Sequence, residues 1–473
     1  MTPTELRVVI YGAGEAGELV VQGLARGHAP NIRPVAFVDD DTRKVGRTLA
    51  GLPIEWAGGP IRPFLRKYGA ERVLIAIPSA PGRRIREIHR KLMQEEIPAL
   101  IVPGVWSIVA TNDPITTVRD VNPEDFLRRH PRVLEKGKVA AFLKGQRVLV
   151  TGAGGTIGME MVSQLAQFPL EALAGVDLSE LAVYRLSEWA TGPSWFLADM
   201  SRPADVQRVF DRFSPTVVFH AAAYKHVCIL DREVRAAVRN NVASTHLLVE
   251  AALAGGVHTF VHVSTDKAIR PASIMGATKR AGELIVQAAQ DRAPGRRLIS
   301  VRFGNVLGSS GSVLPKFIEQ IERGGPVTVT DPGARRYFML ASEAVELVLS
   351  SAAAGRPGKI YILDIGEPMY ITELVHDLIR FFGKTPGVDV PIVYTGLGPG
   401  EKLKEDLSEI PCRRVDDYLL EVIEDPPELS AVEDQVQGLL AAAEDGEDAD
   451  LCRRLEQMIP EYADAGTLRA SRP

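Results

Sequence analysis

The first 100 residues alternate short runs of β-branched and aliphatic residues with longer stretches whose apolar residues recur at helical spacing. The runs are LRVVIYG (6–12), PVAFVDDD (34–41) and ERVLIAIP (71–78), and the helical stretches include EAGELVVQGLA and RRIREIHRKLMQ. Short strands that alternate with helices are typical of βαβ units around a parallel sheet. The pattern therefore predicts an α/β module over residues 1–120.

The same alternation begins again after a charged, proline-containing segment that we interpret as a connector, residues 121–145. The strand ends QRVLVTGAGGTIG, EALAGVDLS, PTVVFHAAA and HTFVHVSTD follow one another, each separated by helix-compatible residues. They predict a second α/β module over residues 146–385. Residues 386–473 combine Pro/Gly loops with an acidic, alanine-rich tail, for which we expect peripheral helices.

A glycine-rich loop follows the first strand of the second module. In GAGGTIG, Gly152, Gly155 and Gly158 recur every three residues before a predicted helix. Glycines in this context allow a tight turn and let backbone N–H groups approach a pyrophosphate. Asp177 ends the next strand, where a carboxylate binds the adenosine ribose hydroxyls and repels a 2′-phosphate. The spacing predicts a Rossmann-like module that binds NAD rather than NADP.

The first module has a comparable loop, GAGEAG, with Gly12, Gly14 and Gly17 and with Asp39 at the end of a strand. The spacing matches a dinucleotide fingerprint. No catalytic set follows it, so two interpretations stay open: a second nucleotide site, or a glycine turn with a purely structural role.

The composition excludes several other classes of function. A net charge of -5 shows no basic excess that would attract nucleic acid or an anionic membrane. The three cysteines, Cys228, Cys412 and Cys452, form no CxxC pair, so neither a zinc site nor a disulfide framework is indicated. No apolar run reaches the roughly 18 residues of a membrane span. We expect a soluble, cytoplasmic protein without a metal.

Six motifs in order resemble those of the polysaccharide-biosynthesis UDP-sugar 4,6-dehydratases of the capsule and protein-glycosylation type, which are extended short-chain dehydrogenases. They are GAGGTIG, AAAYKHV, STDKAIRPASIMGATKR, VRFGNVLGSSGSVLPKF, TDPGARRYFM and GPGEKL. The resemblance spans almost the whole chain. Many such proteins carry transmembrane helices before the first module, and without them the sequence given is expected to be either a soluble member or a truncated one. It implies a second module that is an extended short-chain dehydrogenase, substrate-binding contributions from 300–330 and from a smaller C-terminal region, a UDP-sugar substrate, and a homo-oligomer.

The resemblance also implies the catalytic residues. The family removes water from a hexose: hydride leaves carbon 4 for NAD and later returns to carbon 6, while a base takes the carbon 5 proton and an acid protonates the departing carbon 6 hydroxyl. Asp266 matches the acid and Lys267 the base, which must be neutral to act. Met275 stands where related oxidoreductases have tyrosine, four residues before the ribose-binding Lys279. Thr265 is then the nearest candidate to take the carbon 4 hydroxyl proton.

Further positions carry over from the family's motifs. The residues implied to hold the cofactor, beyond the glycines, Asp177 and Lys279, are Thr156, Ile157, Asp199, Met200, Ala221 and Ala222. The residues implied to face the substrate are Lys225, His226, Asn305, Arg336 and Glu401. Asn241 is expected to bridge backbone segments. Gly398 replaces the family's usual arginine, so Lys402 or Arg335 is the candidate for that diphosphate contact.

The sequence thus favours a UDP-N-acetylglucosamine 4,6-dehydratase that retains configuration at carbon 5, because Met275 resembles that branch. It would form UDP-2-acetamido-2,6-dideoxy-D-xylo-4-hexulose for polysaccharide or glycoprotein biosynthesis. The enzyme alternatives are a UDP-sugar 4-epimerase, expected to keep tyrosine at 275, and an inverting dehydratase. The alternative from another class is a non-catalytic NAD-sensing protein, expected to lose Asp266 and Lys267.

Overall fold

The computed structural model describes most of the chain. The described residues are 5–25, 31–78, 80, 82–102, 119–121, 136–307, 309, 312–363, 367–405, 407, 411–415, 419–425 and 427–462. Residues 122–135 of the predicted connector therefore lie outside the described part.

The chain divides into two compact units. The first contains Met1–Val133, Leu314–Val327 and Glu373–Ile392, and the second contains the remainder. Each unit contains one large sheet, and the prediction of two α/β modules in tandem is confirmed.

The sheet of the first unit has seven strands in the order β3-β4-β2-β1-β5-β6-β7. They are β1 (Leu6–Tyr11), β2 (Ile32–Asp39), β3 (Thr48–Leu49), β4 (Leu52–Trp56), β5 (Arg72–Ile75), β6 (Ala99–Ile101) and β7 (Arg119–Asp120). The β4-β2-β1-β5-β6 part is parallel, and the edge strands β3 and β7 are antiparallel to their neighbours. Val9, Ile10 and Leu74 are fully buried, as continuous apolar strands between two helix layers require.

The sheet of the second unit has nine strands in the order β10-β9-β8-β11-β12-β13-β18-β22-β21. They are β8 (Arg147–Thr151), β9 (Ala172–Asp177), β10 (Ser194–Leu197), β11 (Val217–His220), β12 (Thr259–Val263), β13 (Arg297–Arg302), β18 (Ile360–Leu363), β21 (Cys412–Arg414) and β22 (Leu419–Val422). The strands from β10 to β18 are parallel, and the last two are antiparallel. The strand order reverses between β8 and β11, which is where doubly wound sheets bind ligands.

Short strand pairs and helices complete the fold. The pairs are β14 (Asn305–Val306) with β17 (Phe338–Met339), β15 (Val327–Val329) with β20 (Ile392–Tyr394), and β16 (Arg335–Arg336) with β19 (Met369–Tyr370). The helices are α1 (Glu15–Ala25), α2 (Arg62–Tyr68), α3 (Gly82–Gln94), α4 (Lys136–Leu143), α5 (Thr156–Leu165), α6 (Glu180–Trp189), α7 (Pro203–Phe213), α8 (Val227–Leu230), α9 (Val234–Ala237), α10 (Ser244–Ala254), α11 (Ile274–Ala289), α12 (Val313–Glu322), α13 (Ala341–Ala354), α14 (Ile371–Phe381), α15 (Leu429–Asp445) and α16 (Asp448–Met458). Within the described ranges, no helix combines the length and the apolar character needed to cross a membrane.

The acidic tail folds into helices, as predicted, but their apolar sides are not peripheral. Leu439 of α15 and Leu455 of α16 are fully buried, and they belong to the same apolar cluster as Met275 and Ala281 of α11. The two C-terminal helices therefore complete the hydrophobic core around α11. The sequence did not reveal this packing, because acidic residues dominate the composition of the tail.

Helix α14 contributes its later residues to the first unit. Phe381 stacks on His89 of α3 with 5.1 Å between ring centroids, and Asp377 pairs with Arg86 at 3.1 Å and with Arg90 at 2.9 Å. These partners are almost 300 residues apart in the chain, so strand and helix periodicity could not reveal their contact. The later part of α14 was predicted to belong to the 146–385 domain, but it joins the first unit.

Candidate active site

The glycine loop of the second unit lies at the reversal of strand order. Gly152 has φ +65, and a Cβ there would lie 2.7 Å from the backbone of Ala222, so only glycine fits. At the end of β9, the carboxylate of Asp177 accepts N–H groups from Gly154 and Ser179, each at 2.9 Å. The loop, the following N-terminus of α5 and this partly exposed carboxylate form the arrangement that a dinucleotide requires.

Four of the residues predicted to hold the cofactor follow the ends of two strands of the same sheet, β10 and β11. The backbone N–H groups of Ala221 and Ala222 donate to Thr151, to its carbonyl at 3.2 Å and to its hydroxyl at 3.3 Å. Asp199 accepts from Ser201, at 2.9 Å from the backbone N–H and at 2.6 Å from the hydroxyl, and Met200 is buried beside it. Ala222 therefore lies beside Gly152 of the glycine loop, and the ligand contacts of all four residues stay predictions.

The proposed acid and base lie in a turn directly after β12. Thr265 caps a single 3₁₀ turn, Asp266–Ala268, and its hydroxyl donates to Asp266 Oδ1 at 2.9 Å. Lys267 Nζ donates to the same oxygen at 3.0 Å. The backbone N–H of Asp266 donates to Phe303 at 3.0 Å, which fixes the turn against the strand end of β13. The structure therefore places Thr265, Asp266 and Lys267 in one hydrogen-bonded string.

Burial and charge set the proton affinities of this string. Asp266 is fully buried, and its Oδ2 has no hydrogen-bond partner among the described residues. Burial raises the pKa of the Asp266 carboxyl, although the Lys267 ammonium opposes this. Burial acts to lower the pKa of Lys267, but the carboxylates of Asp266 and Glu405 outweigh it and raise this pKa. The surroundings of Lys267 therefore favour its ammonium form, whereas the predicted role as a base needs the neutral amine.

Residues from three distant motifs converge on Lys267. Asn305 Oδ1 accepts from Lys267 Nζ at 3.2 Å, and Glu405 Oε1 lies 3.3 Å from the same amine. Arg336 Nε lies 3.6 Å from Glu405 Oε1, and Arg336 Nη2 is 3.5 Å from Glu401 Oε1. Asn305, Arg336 and Glu401 were predicted for the substrate side, but sequence reasoning missed Glu405. Its only signal was its position two residues after the GPGEKL motif.

Helix α11 packs closely against the Asp266–Ala268 turn, the candidate catalytic turn. A Cβ at Gly276 would lie 2.3 Å from the carbonyl oxygen of Lys267, so glycine permits this close approach. Met275 and Lys279 are both buried on this helix. Lys279 Nζ lies 2.9 Å from His262 Nε2, and burial lowers the pKa of Lys279 to about 8, although Glu283 opposes the shift.

Two buried histidines support the site and were not predicted. His262 of β12 also contacts Ser300 through Nδ1 at 3.3 Å, and burial holds its pKa well below the usual value. A Cβ at Gly282 would lie 2.8 Å from the His262 ring, so this glycine makes room for it. His220 of β11 contacts Thr151 at 2.8 Å. Both rings lie near the ends of their strands. They become neighbours only because β11 and β12 lie side by side in the sheet.

A buried ionic network holds the catalytic turn to α11 and β13. Glu283 is fully buried and accepts from Ser264 Oγ at 2.6 Å, from Arg302 at 2.7 and 2.5 Å, and from Arg280 at 3.2 Å. Ser264 immediately precedes Thr265. The pKa of Glu283 is lowered because these arginines and Ser264 outweigh the effect of burial. The network fixes the start of the catalytic turn.

Other predicted substrate residues make different contacts. Lys225 and His226 are exposed in the loop after β11. Arg335 lies over the ring of Tyr370, 4.0 Å from its centroid, and Lys402 Nζ donates to the carbonyl of Ile269 at 2.9 Å. Asn241 bridges backbone groups: it accepts from Tyr224 N–H at 2.8 Å and donates to the Tyr224 carbonyl at 3.1 Å.

The glycine loop of the first unit repeats the geometry of the second. Asp39 accepts N–H groups from Ala13 at 2.7 Å and from Asp41 at 2.8 Å, and it also accepts from Lys44 Nζ at 3.0 Å. A Cβ at Gly12 would lie 2.5 Å from Ile77, whereas a Cβ at Gly14 would meet nothing within 4 Å. Close packing is enough to explain why residue 12 is a glycine, but no such contact explains the glycine at position 14.

Comparison with known proteins places this geometry in a family. Residues 148–414 match the model of a family described as polysaccharide biosynthesis protein, and residues 2–103 match one described as CoA-binding domain. The probable polysaccharide biosynthesis protein EpsC of Bacillus subtilis is 38% identical over 408 residues, which cover 85% of this chain and 68% of the relative.

Two further similarities are more distant. The UDP-N-acetylglucosamine 4,6-dehydratase (inverting) of Campylobacter jejuni is 30% identical over 269 residues, 55% of this chain and 76% of the relative. The X-ray structure of Pen from Bacillus thuringiensis superimposes with a TM-score of 0.55 at 27% identity, covering 61% of this chain and 90% of that chain. The chain therefore belongs to the polysaccharide biosynthesis protein family, and within it is an extended short-chain dehydrogenase of the nucleotide-sugar dehydratase and epimerase type.

Proposed function

We propose that the protein is an NAD-dependent UDP-N-acetylglucosamine 4,6-dehydratase that retains configuration at carbon 5. The observation that carries this proposal is the Thr265–Asp266–Lys267 string, with 2.9 and 3.0 Å contacts to one carboxylate oxygen, beside a helix that has Met275 in place of tyrosine. An elimination needs an acid for the departing carbon 6 hydroxyl and a base for the carbon 5 proton, whereas a 4-epimerase needs only a group that exchanges the carbon 4 hydroxyl proton. The Campylobacter relative supports the same substrate class.

The second glycine loop fits NAD. Gly152 allows the close backbone approach, and the Asp177 carboxylate is held by one N–H on each oxygen, which leaves acceptor capacity for the ribose hydroxyls. Lys279 is the ribose ligand nearest the reacting carbons. Bound NAD would accept a hydride from carbon 4 and return it to carbon 6.

Thr265 and Asp266 replace the missing tyrosine as the route for the carbon 4 hydroxyl proton. The Thr265 hydroxyl accepts this proton and passes its own to Asp266 Oδ1, to which it already donates. The raised pKa of Asp266 suits a carboxylate that must take up a proton and keep it. Asp266 then protonates the departing carbon 6 hydroxyl. The proton taken from the carbon 4 hydroxyl thus leaves as part of the water molecule, and the site gains no net proton.

Lys267 takes the carbon 5 proton in this scheme. Its amine first has to lose the proton that makes it an ammonium, because three oxygens bind it in the present arrangement. After hydride return, the same amine restores the proton to carbon 5. Delivery from the face that it was taken from gives retention.

Incubation of the purified protein with UDP-N-acetylglucosamine tests the proposal. We expect the 4-keto-6-deoxy sugar of D-xylo configuration in the proton NMR spectrum of the fresh product. An early L-arabino product would indicate an inverting dehydratase, UDP-N-acetylgalactosamine an epimerase, and unchanged substrate would leave the non-catalytic interpretation.

Replacing Asp177 with asparagine is expected to weaken NAD binding about 10- to 100-fold, because one charged hydrogen bond to the ribose is worth about 1.5–3 kcal/mol. Discrimination against NADP should fall as well, since the repelling charge is gone. Bound nucleotide released by denaturation and titration with each dinucleotide measure both effects. Glu180→Gln, which changes an exposed neighbouring carboxylate, is the control; equal effects in the two variants would refute the assignment.

For the first unit we propose a nucleotide site at Gly12, Gly14, Gly17 and Asp39. The match of residues 2–103 to a CoA-binding domain favours coenzyme A, and Lys44, which pairs with Asp39 and offsets its charge, is the candidate for binding the phosphate on the ribose. Calorimetry should then show tighter binding of coenzyme A than of dephospho-coenzyme A, and Lys44→Gln should abolish the difference. Absence of binding by either would identify the loop as a structural turn.

A further inference from the structure

Glu405 is a buried carboxylate without an assigned role. It is 2% exposed, its Oε1 lies between Lys267 Nζ at 3.3 Å and Arg336 Nε at 3.6 Å, and its Oε2 bonds to no described residue. Removing a carboxylate from water while leaving one oxygen unpaired is costly. A purely structural role would use both oxygens, so this unpaired oxygen needs another explanation.

The amine of Lys267 is fully occupied in the same arrangement. Its three contacts are Asp266 Oδ1 at 3.0 Å, Asn305 Oδ1 at 3.2 Å and Glu405 Oε1 at 3.3 Å. An ammonium has three N–H donors and no lone pair. Lys267 can therefore accept a carbon-bound proton only after it has lost one, either to solvent or to one of these three oxygens.

Only one of the three oxygens is suited to that task. The Asn305 amide oxygen is a very weak base. Asp266 receives the carbon 4 hydroxyl proton in the proposed reaction and must keep it for carbon 6. Glu405 is the remaining carboxylate, and it is sequestered from bulk water.

We propose that Glu405 is a positioning residue for the dehydration: it holds the Lys267 amine in place and accepts the proton that Lys267 must lose before it acts on carbon 5. This inference rests on the proposed function and deepens it. One N–H bond of Lys267 breaks and one O–H bond of Glu405 forms, which leaves a neutral amine and a neutral acid. After carbon 5 has been reprotonated, Glu405 returns the proton to Lys267.

The charges around both groups favour the ionic pair before substrate binds. Glu405 faces the cations of Lys267, Arg336 and Lys402, which outweigh burial and hold its pKa below the ordinary value. Lys267 faces Asp266, Glu405 and, less favourably, Arg336. The resting pair is therefore ionic. A diphosphate bound by Arg336 would draw that cation away from Glu405, raise its proton affinity, and favour the transfer only when substrate is present.

Two readouts of Glu405→Gln test the proposal, because glutamine keeps the size and hydrogen-bonding capacity but cannot take a proton. The first is the pH profile of keto-sugar formation. We expect the parent rate to vary little around neutral pH, and the variant rate to fall about 100-fold there and to rise with pH, as Lys267 then loses its proton only to solvent. Lys404→Gln, a change in the exposed neighbouring residue, should leave the profile as it is.

The second readout needs no turnover. Acetic anhydride labelling as a function of pH, read by mass spectrometry, reports the proton affinity of the Lys267 amine, with Lys404 as the exposed reference. In Glu405→Gln the labelling midpoint of Lys267 should fall by about one pH unit or more, since a neighbouring opposite charge is lost. A parent that forms no keto sugar would refute the proposed function, while the labelling shift would still establish the contact.

An unchanged rate profile or an unchanged labelling midpoint in Glu405→Gln would overturn the proposal. If that variant fails to fold, as judged by its melting temperature and bound nucleotide, Glu405→Asp decides. The shorter side chain keeps the charge but withdraws it from the amine, so we expect a reduced rate and a smaller fall in the Lys267 midpoint. Parental values for both would overturn the inference equally.

Discussion

Replacing Lys267 with alanine is expected to lower keto-sugar formation about 100- to 10,000-fold, the usual cost of losing a positioned general base. Thr265 and the glycine loop do not depend on the Lys267 side chain, so oxidation at carbon 4 should persist. With UDP-N-acetylglucosamine in D2O, we expect absorbance from reduced bound cofactor, no released keto sugar, and no deuterium at carbon 5 of recovered substrate.

The companion substitution Asp266→Asn should give a different pattern. Lys267 remains in place, but the carbon 4 hydroxyl proton can then pass from Thr265 only to water, so carbon 5 exchange should continue at a reduced rate while the carbon 6 hydroxyl leaves poorly. Because Asp266 and Lys267 are 3.0 Å apart, removal of either charge shifts the proton affinity of the other. Carbon 5 exchange and keto-sugar formation must therefore be measured together to distinguish the two variants. Rapid product formation by Lys267→Ala, or carbon 5 exchange at the parental rate, would remove Lys267 from this role, and Lys404→Ala serves as the matched control.

Replacing Glu283 with glutamine is expected to lower the free energy of unfolding of the second unit by about 3–5 kcal/mol. The substitution leaves Arg302, which is 3% exposed at its side chain, without its buried counter-charge, whereas Arg280 keeps its pairing with Glu424 at 3.1 Å. It also weakens the hold on Ser264, so the catalytic turn should lose order. Chemical denaturation and the melting temperature measure the effect.

An exposed ion pair provides the control for this prediction. Glu433 pairs with Arg292 at 3.1 Å at the surface, where both side chains are more than a third exposed. Glu433→Gln should change stability by no more than about 0.5 kcal/mol. A similar shift for both variants would show that the Glu283 network contributes no more than a surface pair. Joint replacement of Glu283 and Arg302 by apolar residues should recover part of the loss, because neither charge then remains buried alone.

The order of strands along the chain follows from local patterns, and the two modules could be predicted because each buried strand is short, continuous and apolar. The glycine loops were recognisable for the same reason: Gly152 and Asp177 are each determined by local geometry, a positive φ at the turn and a strand end about 25 residues later. Thr265, Asp266 and Lys267 are adjacent in the chain, so their juxtaposition required no tertiary information.

The sequence by itself therefore determined the fold class and the family and indicated a candidate acid and base, since each strand and each motif is a short local pattern. Only the tertiary structure revealed the charges around Lys267, because the carboxylate of Glu405, 138 residues away, reaches it through folding. The same holds for His262 beneath Lys279 and for the C-terminal helices around α11. A pKa depends on burial and on neighbouring charges in space, and no periodicity along the chain encodes either one.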